Sequence, residues 1–420
     1  MTVRATGQIS HQRAEAARAE RQVRHAEAVI DLDAVEANTR LLRRAAAGAA
    51  LMAVVKADGY GHGAAPVARA ALAGGADMLG VATLPEAVAL RGAGIVAPLA
   101  AWLWTPGEDL RAAIAAGVQV GVPSLDHLAA VCSAADVAPA GPDSSAGRVP
   151  VHVKVDTGLG RNGVMPGDLP ALLDAVAAAE RAGTVEMRGI MSHLACADVP
   201  GDPSIDVQVR GFKDAIDAAE AAGLNPRWRH LGNTAVALDV PGARFNLVRC
   251  GIGLYGLSPF ADRAGLRPAM TLHASVALVK RVPAGQGVGY GFTYRTAHES
   301  TLALVPLGYG DGIPRSAGNV GQVWLGGKRR TIAGRVAMDQ VVVDCGDDDI
   351  RVGEDVVIFG SGDDGEPTAD DWAGYCDTIN YEIVTRIASR VPRRYVGSGA
   401  PAVGDAAASA PESGAEGSAQ

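Results

Sequence analysis

The chain has 420 residues, of which 48% are hydrophobic and 20% charged, with a formal net charge of -8. That is enough chain for one large domain and a smaller one, and ordinary for a globular protein. The acidic balance excludes nucleic acid or an anionic membrane as the main partner. Five widely spaced cysteines with no CxxC pair predict a reduced, cytoplasmic chain without a disulfide framework or a zinc site.

Residues 1–25 are rich in Ala, Arg and Glu and read as a frayed N-terminal extension. They lack the apolar core of a signal peptide, and no later run is long enough to span a bilayer. In AEAVIDLDAVEANTRLL (26–42), residues 27–32 are expected to lend a strand to a later β domain, with the first helix following. From residue 51 apolar runs alternate with Ala-rich helical stretches. The runs are LMAVVK (51–56), DMLGVA (77–82), PLAAWLW (98–104), VQVGV (118–122), VPVHVKVD (149–156), VEMRGIMSH (185–193), RWRHLGN (227–233) and FNLVRCG (245–251). Strands alternating with helices predict parallel crossover units, and eight of them predict a (β/α)8 TIM barrel over 26–261. From 262 to 396 short alternating runs between Gly, Pro and Asp turns predict a mainly-β C-terminal domain. Residues 397–420, low in large apolar side chains, read as a disordered tail.

Reactive groups of such a barrel gather at the carboxyl ends of its strands. Lys56, His193, Asn233 and Arg249 fall there, and His152, Lys154 and Asp156 share one face of the fifth strand. A strand-end lysine is more often a snorkelling surface group and a lone histidine a satisfied core group, but four such residues share one rim. Lysine is also scarce, at five residues among 38 basic ones. GIGLYG (251–256) matches GxGxxG, yet it closes the barrel and lacks an acidic residue at the ribose-binding offset. It reads instead as a glycine nest for a phosphate, or as a tight turn only. An amine at one strand end and a phosphate nest at another point to pyridoxal 5'-phosphate. The acid-rich turns DCGDDDI and GSGDDGEP lack the spacing of a calcium loop, so no metal is expected.

AVVKADGYGHG, VHVKVDTGLGRNG, HLGNTAVAL, VRCGIGLYGL, VGYGFTY, VPLGYGDG, GRVAMDQ and TINYEIVTRIASRVPR, in that order, resemble bacterial alanine racemase from about residue 26 to 396. The resemblance implies a homodimer that interconverts L- and D-alanine and supplies D-alanine for peptidoglycan. It implies Lys56 as the amine that carries the cofactor and as base on one face, with Tyr290, supplied by the second subunit, as base on the other. Tyr60, Thr234, the amides of Gly251 and Ile252, and Tyr381 would clamp the phosphate. Arg249 would face the pyridine nitrogen, with His193 between it and the tyrosine and Asn233 beside the cofactor. Arg161 would hold the phenolic oxygen and guide the substrate carboxylate, Met338 would contact that carboxylate, and Tyr309 and Asp339 would line the entrance. Lys154 matches a position carbamylated in some relatives. Gly59 and Thr234 stand where many relatives have alanine and serine.

Alternatives are a racemase for serine or a broader substrate set, a decarboxylase of the same architecture, and a non-catalytic carrier of the cofactor. Arg249 in place of an acid argues against the decarboxylase, and Tyr290 with the β domain argues against the carrier.

Overall fold

The computed structural model describes residues 25–135, 147–262 and 265–400. Nearly all of the predicted N-terminal extension and residues 401–420 of the predicted tail lie outside the described residues. Two compact units divide the chain. One holds residues 25–30 and Pro268–Arg394, the other Asp31–Arg267 and residues 395–400.

The first strand, β1 (Ala26–Asp31), is followed by a helix, Leu32–Ala45, which Asp31 caps by accepting the Ala34 N–H at 3.0 Å. Eight parallel strands then follow: β2 (Ala50–Val54), β3 (Met78–Val81), β4 (Leu99–Ala101), β5 (Val118–Val122), β6 (Val149–Lys154), β7 (Val185–Met191), β8 (Trp228–His230) and β9 (Leu247–Cys250). Each pairs with its successor from β2 to β8, and β9 returns to pair with β2. The seam between β8 and β9 carries two backbone bonds, Arg249 N–H to Gly232 O at 2.9 Å and Asn246 N–H to Arg229 O at 3.4 Å. The barrel is therefore nearly closed, as the eight-run count predicts.

Its strands read as valine-rich runs because both faces are buried, and all residues of β5 and β6 are. The helices between them turn one apolar stripe inward. In Leu169–Arg181 this stripe is Leu169, Leu172, Leu173 and Val176, the i, i+3, i+4, i+7 spacing of a single helix face. Each such buried side chain stabilises the fold by about 1.5–3 kcal/mol. One irregularity matters for the chemistry. The register between β6 and β7 slips after Val151, setting His152 opposite Gly189. A Cβ on Gly189 would lie 2.3 Å from His152 Nδ1, so glycine makes room for a buried ring.

The unit that holds residues 25–30 and Pro268–Arg394 is mainly β, its last strand running on to Val396. Its strands are β10 (Met270–Ser275), β11 (Leu278–Val282), β12 (Gly287–Val288), β13 (Tyr294–Arg295), β14 (Ser300–Val305), β15 (Gln322–Leu325), β16 (Lys328–Thr331), β17 (Val341–Asp344), β18 (Asp355–Phe359) and β19 (Arg393–Val396). A six-stranded sheet runs β16-β15-β18-β10-β1-β19, beside a three-stranded sheet β11-β14-β17 and the hairpin β12–β13. Within it β1 pairs antiparallel with β10, placing Glu27 opposite His273. Helices Ala369–Cys376 and Asn380–Thr385 complete the unit. Among the described residues no helix is long and apolar enough to cross a membrane.

Candidate active site

Lys56 lies two residues past the end of β2 and opens a short turn, Lys56–Tyr60, in which Ala57, Asp58, Gly59 and Tyr60 take positive φ (51°, 51°, 62° and 52°). Three of these carry side chains, each at a cost of about 1–3 kcal/mol unless the surroundings enforce it. The enforcement is visible. Glu86 accepts the Ala57 N–H at 2.6 Å, and Asp58 accepts that of Ala64 at 2.8 Å. His62 donates from Nδ1 to Tyr60 O at 2.9 Å, which orders the turn. The Tyr255 ring packs against Tyr60 at 4.8 Å and His62 at 4.5 Å, and its hydroxyl donates to Val54 O at 3.1 Å. The result holds Lys56 Nζ 5.8 Å from the centre of the Tyr60 ring.

Beyond β9, Gly251 brings its backbone against the same tyrosine. A Cβ there would sit 2.3 Å from the Tyr60 hydroxyl. The amides of Gly251 and Gly253 donate to Thr234 Oγ1 at 3.2 and 3.4 Å, and a short 3-10 turn, Ile252–Tyr255, follows. Asn233 spends its side chain as the N-cap of Thr234–Asp239, accepting the Val236 N–H at 3.2 Å.

Arg249 is buried at the centre of a hydrogen-bonded row. It donates to His230 O at 2.6 Å, Ser192 O at 2.7 Å and Leu231 O at 3.1 Å, and to the Nδ1 atoms of His230 (3.2 Å) and His193 (3.1 Å). Its Nε–H takes part in none of these five bonds. An arginine can only donate, so His230 accepts at Nδ1 and must carry its proton on Nε2. That proton goes to His152 Nδ1 at 2.9 Å, and His152 Nε2–H goes on to Gln119 Oε1 at 2.7 Å. The row works only with neutral imidazoles. Burial, then the charge of Arg188 and Arg249, pushes His152 down to about 3, and burial with neighbouring charge holds His193 and His230 well below the usual range. Burial lowers Arg249 to about 10, which still leaves it charged at neutral pH.

Cations outnumber anions here. Burial, followed by Arg249, Arg161 and Lys56, lowers Lys154 to about 8 against the pull of Asp156. Burial and Arg161 likewise lower Lys56. Asp156 is committed to its own loop, accepting the amides of Gly158 at 2.8 Å and of Gly160 and Arg161 at 3.2 Å, which shapes the segment bearing Arg161. Such a site favours anionic guests.

Sequence reasoning missed Gln119, His230, Glu86 and Gln208, and left His152 without its partners, which are neutral groups. Gln208, buried in the helix Pro203–Ala221, accepts the Ala195 N–H at 2.9 Å and donates to His193 O at 3.1 Å and Thr157 Oγ1 at 3.4 Å. In the mainly-β unit, Tyr290 is 73% exposed, Met338 54% and Tyr309 42%. Tyr309 and Gly310 donate their amides to Ala337 O and Met338 O at 3.0 and 2.8 Å, and Arg390 binds Asp311 at 2.6 Å and Asp339 at 2.8 Å. Among the described residues no group of His, Cys, Asp and Glu is arranged to hold a metal ion.

Comparison with known proteins bears on both units. Residues 30–259 match the family model for the alanine racemase N-terminal domain, and residues 269–395 that for the C-terminal domain. An alanine racemase of Salinispora arenicola is 55% identical over 375 residues, covering 89% of this chain and 98% of the relative. The solved alanine racemase of Streptomyces coelicolor A3(2) superposes with a TM-score of 0.86 at 52% identity, over 89% of this chain and 98% of that one. That of Bacillus anthracis, solved with bound L-Ala-P, gives 0.81 at 34% identity over 90% and 97%. Matched across both domains and at more than half identity over nearly the full length of its relatives, the chain belongs to the alanine racemase family.

Proposed function

We propose that this chain racemises alanine with pyridoxal 5'-phosphate held on Lys56, using Lys56 and Tyr290 of the partner subunit as bases on opposite faces, and so supplies D-alanine for peptidoglycan. The observation that carries the reading is the half-buried Lys56 amine, set among Arg161, Arg249 and Lys154 and on the same turn as the Tyr60–Gly251 cradle.

The residues fit the cofactor. An amine with lowered proton affinity suits an aldehyde, the hydroxyls and amides of Tyr60, Thr234, Gly251 and Ile252 suit a phosphate, and the excess of positive charge suits both phosphate and substrate carboxylate. Tyr381 would complete the phosphate clamp, Arg249 would serve the pyridine nitrogen, Asn233 would lie beside the cofactor, and Arg161 would serve its phenolic oxygen. When bound, pyridoxal phosphate supplies an electron sink that acidifies the α-proton of the amino acid it carries.

Two bases on opposite faces invert the α-carbon without turning the substrate over. Burial and the charge of Arg161 make Lys56 competent to accept a proton nearer neutrality than a free amine. Arg249 gives a hydrogen bond but withholds its proton, unlike a carboxylic acid, which limits side reactions such as transamination. His193 accepts from Arg249 at Nδ1, so its Nε2–H is left to support Tyr290 of the partner subunit. Arg161 and the Met338 backbone would orient the substrate carboxylate, with Tyr309 and Asp339 at the entrance. Lys154, with an appreciable neutral fraction near pH 8, would add carbon dioxide at nitrogen, releasing a proton and giving Arg161 an anion. The high exposure of Tyr290, Tyr309 and Met338 on a single chain supports their use by a second subunit.

Subunit mixing tests the reading. Lys56→Ala and Tyr290→Phe chains, each inactive alone, should recover about a quarter of wild-type activity after full exchange, from one intact site in half of the dimers. No recovery after verified exchange would sink the shared site.

A further inference from the structure

Glu86 is the third residue of the helix Leu84–Gly92, where it forms a capping box with Thr83. One carboxylate oxygen accepts the amides of Ala82 at 2.9 Å and Thr83 at 3.0 Å. The cap needs no more than that. The second oxygen reaches away from the helix and accepts the Ala57 N–H at 2.6 Å, a short, charge-assisted bond to the first left-handed residue after Lys56. A single carboxylate thus joins the end of β3 to the start of the turn that carries the amine. It also adds an anion where cations dominate. Arg161 and Arg249 act against a proton on Lys56, Lys154 shares mutual repulsion with it, and Glu86 acts in favour.

We propose that Glu86 is a positioning residue for Lys56, fixing the strained turn that aims the amine and supplying the counter-charge that keeps the amine basic enough to take up a proton. The inference rests on Lys56 being the cofactor-bearing amine and base. A base whose proton affinity falls too far gains in availability but loses driving force for proton transfer. Burial, Arg161 and Arg249 push Lys56 that way, and Glu86 opposes them.

The chain has only five lysines, so each can be followed by trace acylation and peptide mass spectrometry. The full-length chain, stripped of cofactor and kept in carbonate-free buffer, is titrated as wild type, Glu86→Gln and Glu86→Asp. In Glu86→Gln the Lys56 midpoint should move to lower pH, and in the loaded enzyme the acid limb of kcat should move the same way. Glu86→Asp keeps the charge but shortens the reach. Its Lys56 midpoint should stay near wild type, while amides 57–60 exchange with deuterium roughly tenfold faster or more. A Lys56 midpoint in Glu86→Gln equal to or above wild type overturns the proposal. So does unchanged protection of 57–60 in Glu86→Asp, which decides the matter even if Glu86→Gln does not fold. Borohydride reduction of the loaded wild-type enzyme that fixes the cofactor to a peptide other than that of Lys56, or to none, would instead overturn the reading on which the proposal rests, whatever Glu86 does.

Discussion

Buried charge is handled in opposite ways by the two units. At the barrel mouth buried Lys154 and Arg249, half-buried Lys56 and exposed Arg161 carry charge of one sign, and the two lysines and Arg249 hold their protons less tightly than usual, Arg249 through burial alone. In the mainly-β unit the buried charges Glu27, His273, Asp311 and Arg330 meet groups of opposite charge. His273 on β10 lies 2.8 Å from Asp355 on β18 and 3.1 Å from Glu27 on β1, and Glu27 also accepts from Arg394 at 3.0 Å. There burial favours the neutral forms but is outweighed, so His273 is raised and Glu27 lowered to about 2. Paired charge holds strands together. Charge of one sign costs stability and prepares a place for an anion that arrives later.

The sharpest way to break that contrast is to remove Arg249. Arg249→Met takes the guanidinium away from three buried carbonyls and two imidazole nitrogens, of which His230 O keeps the Ser192 N–H at 3.2 Å, at a cost of roughly 3 kcal/mol or more by denaturant unfolding, and racemisation should be lost. It should also raise the Lys154 midpoint above about 8, because after burial Arg249 is the largest influence lowering it. Arg249→Lys should leave that midpoint nearly unchanged while still failing to satisfy all five acceptors. If Lys154 titrates alike in wild type and a folded Arg249→Met, like-charge crowding is not what sets the barrel mouth.

A smaller effect, confined to the other unit, comes from pH. Glu27 has a folded pKa below its unfolded value, so its contribution is present above about pH 4.5 and is lost as pH falls toward 2. His273 is raised, so its contribution is full below about pH 6.5 and fades as pH climbs through its folded value. Glu27→Gln should be less stable than wild type at pH 6 and should lose less stability between pH 4.5 and 2. Parallel stability curves for the two chains over that window would show that the Glu27 pairing contributes nothing to folding.

Most barrel strands were legible because apolar runs buried on both faces, such as β5 and β6, need no subtle pattern. The run Val118–Val122 coincides with β5, whereas 98–104 and 227–233 overshoot because their last residues already belong to the loops at the barrel mouth. Lys56, His193 and Arg249 stood out as polar residues ending apolar runs. Gln119 and His230 did not, and His152 was seen without its partners, because a polar residue inside a strand announces only that it needs a partner, and these partners lie 33 and 78 residues away. Thr83 and Glu86 carry the spacing of a helix start, yet nothing in that spacing shows a second oxygen reaching back 29 residues to Ala57. The strand Met270–Ser275 went unread although MTLHAS alternates apolar with polar residues, and His273 makes it the middle of a charge cluster.

Gln208 offers the mildest test, since it is a buried polar group of the barrel that carries no charge. Its amide holds the segment bearing His193 at two points and reaches Thr157, whose hydroxyl in turn meets that of Ser192 at 2.8 Å. If the barrel mouth depends on placement as well as on charge, Gln208→Met should matter without moving any titration. The substitution keeps length and burial but strands the Ala195 N–H and the His193 carbonyl, at a local cost of about 1–3 kcal/mol. Amides 192–195 should exchange faster and kcat should fall about tenfold, while the Lys56 and Lys154 midpoints stay where they were. A shift in either midpoint would mean that placement and charge are not separable here. Unchanged kcat with unchanged exchange would mean that β7 and Arg249 hold His193 without help from the helix behind it.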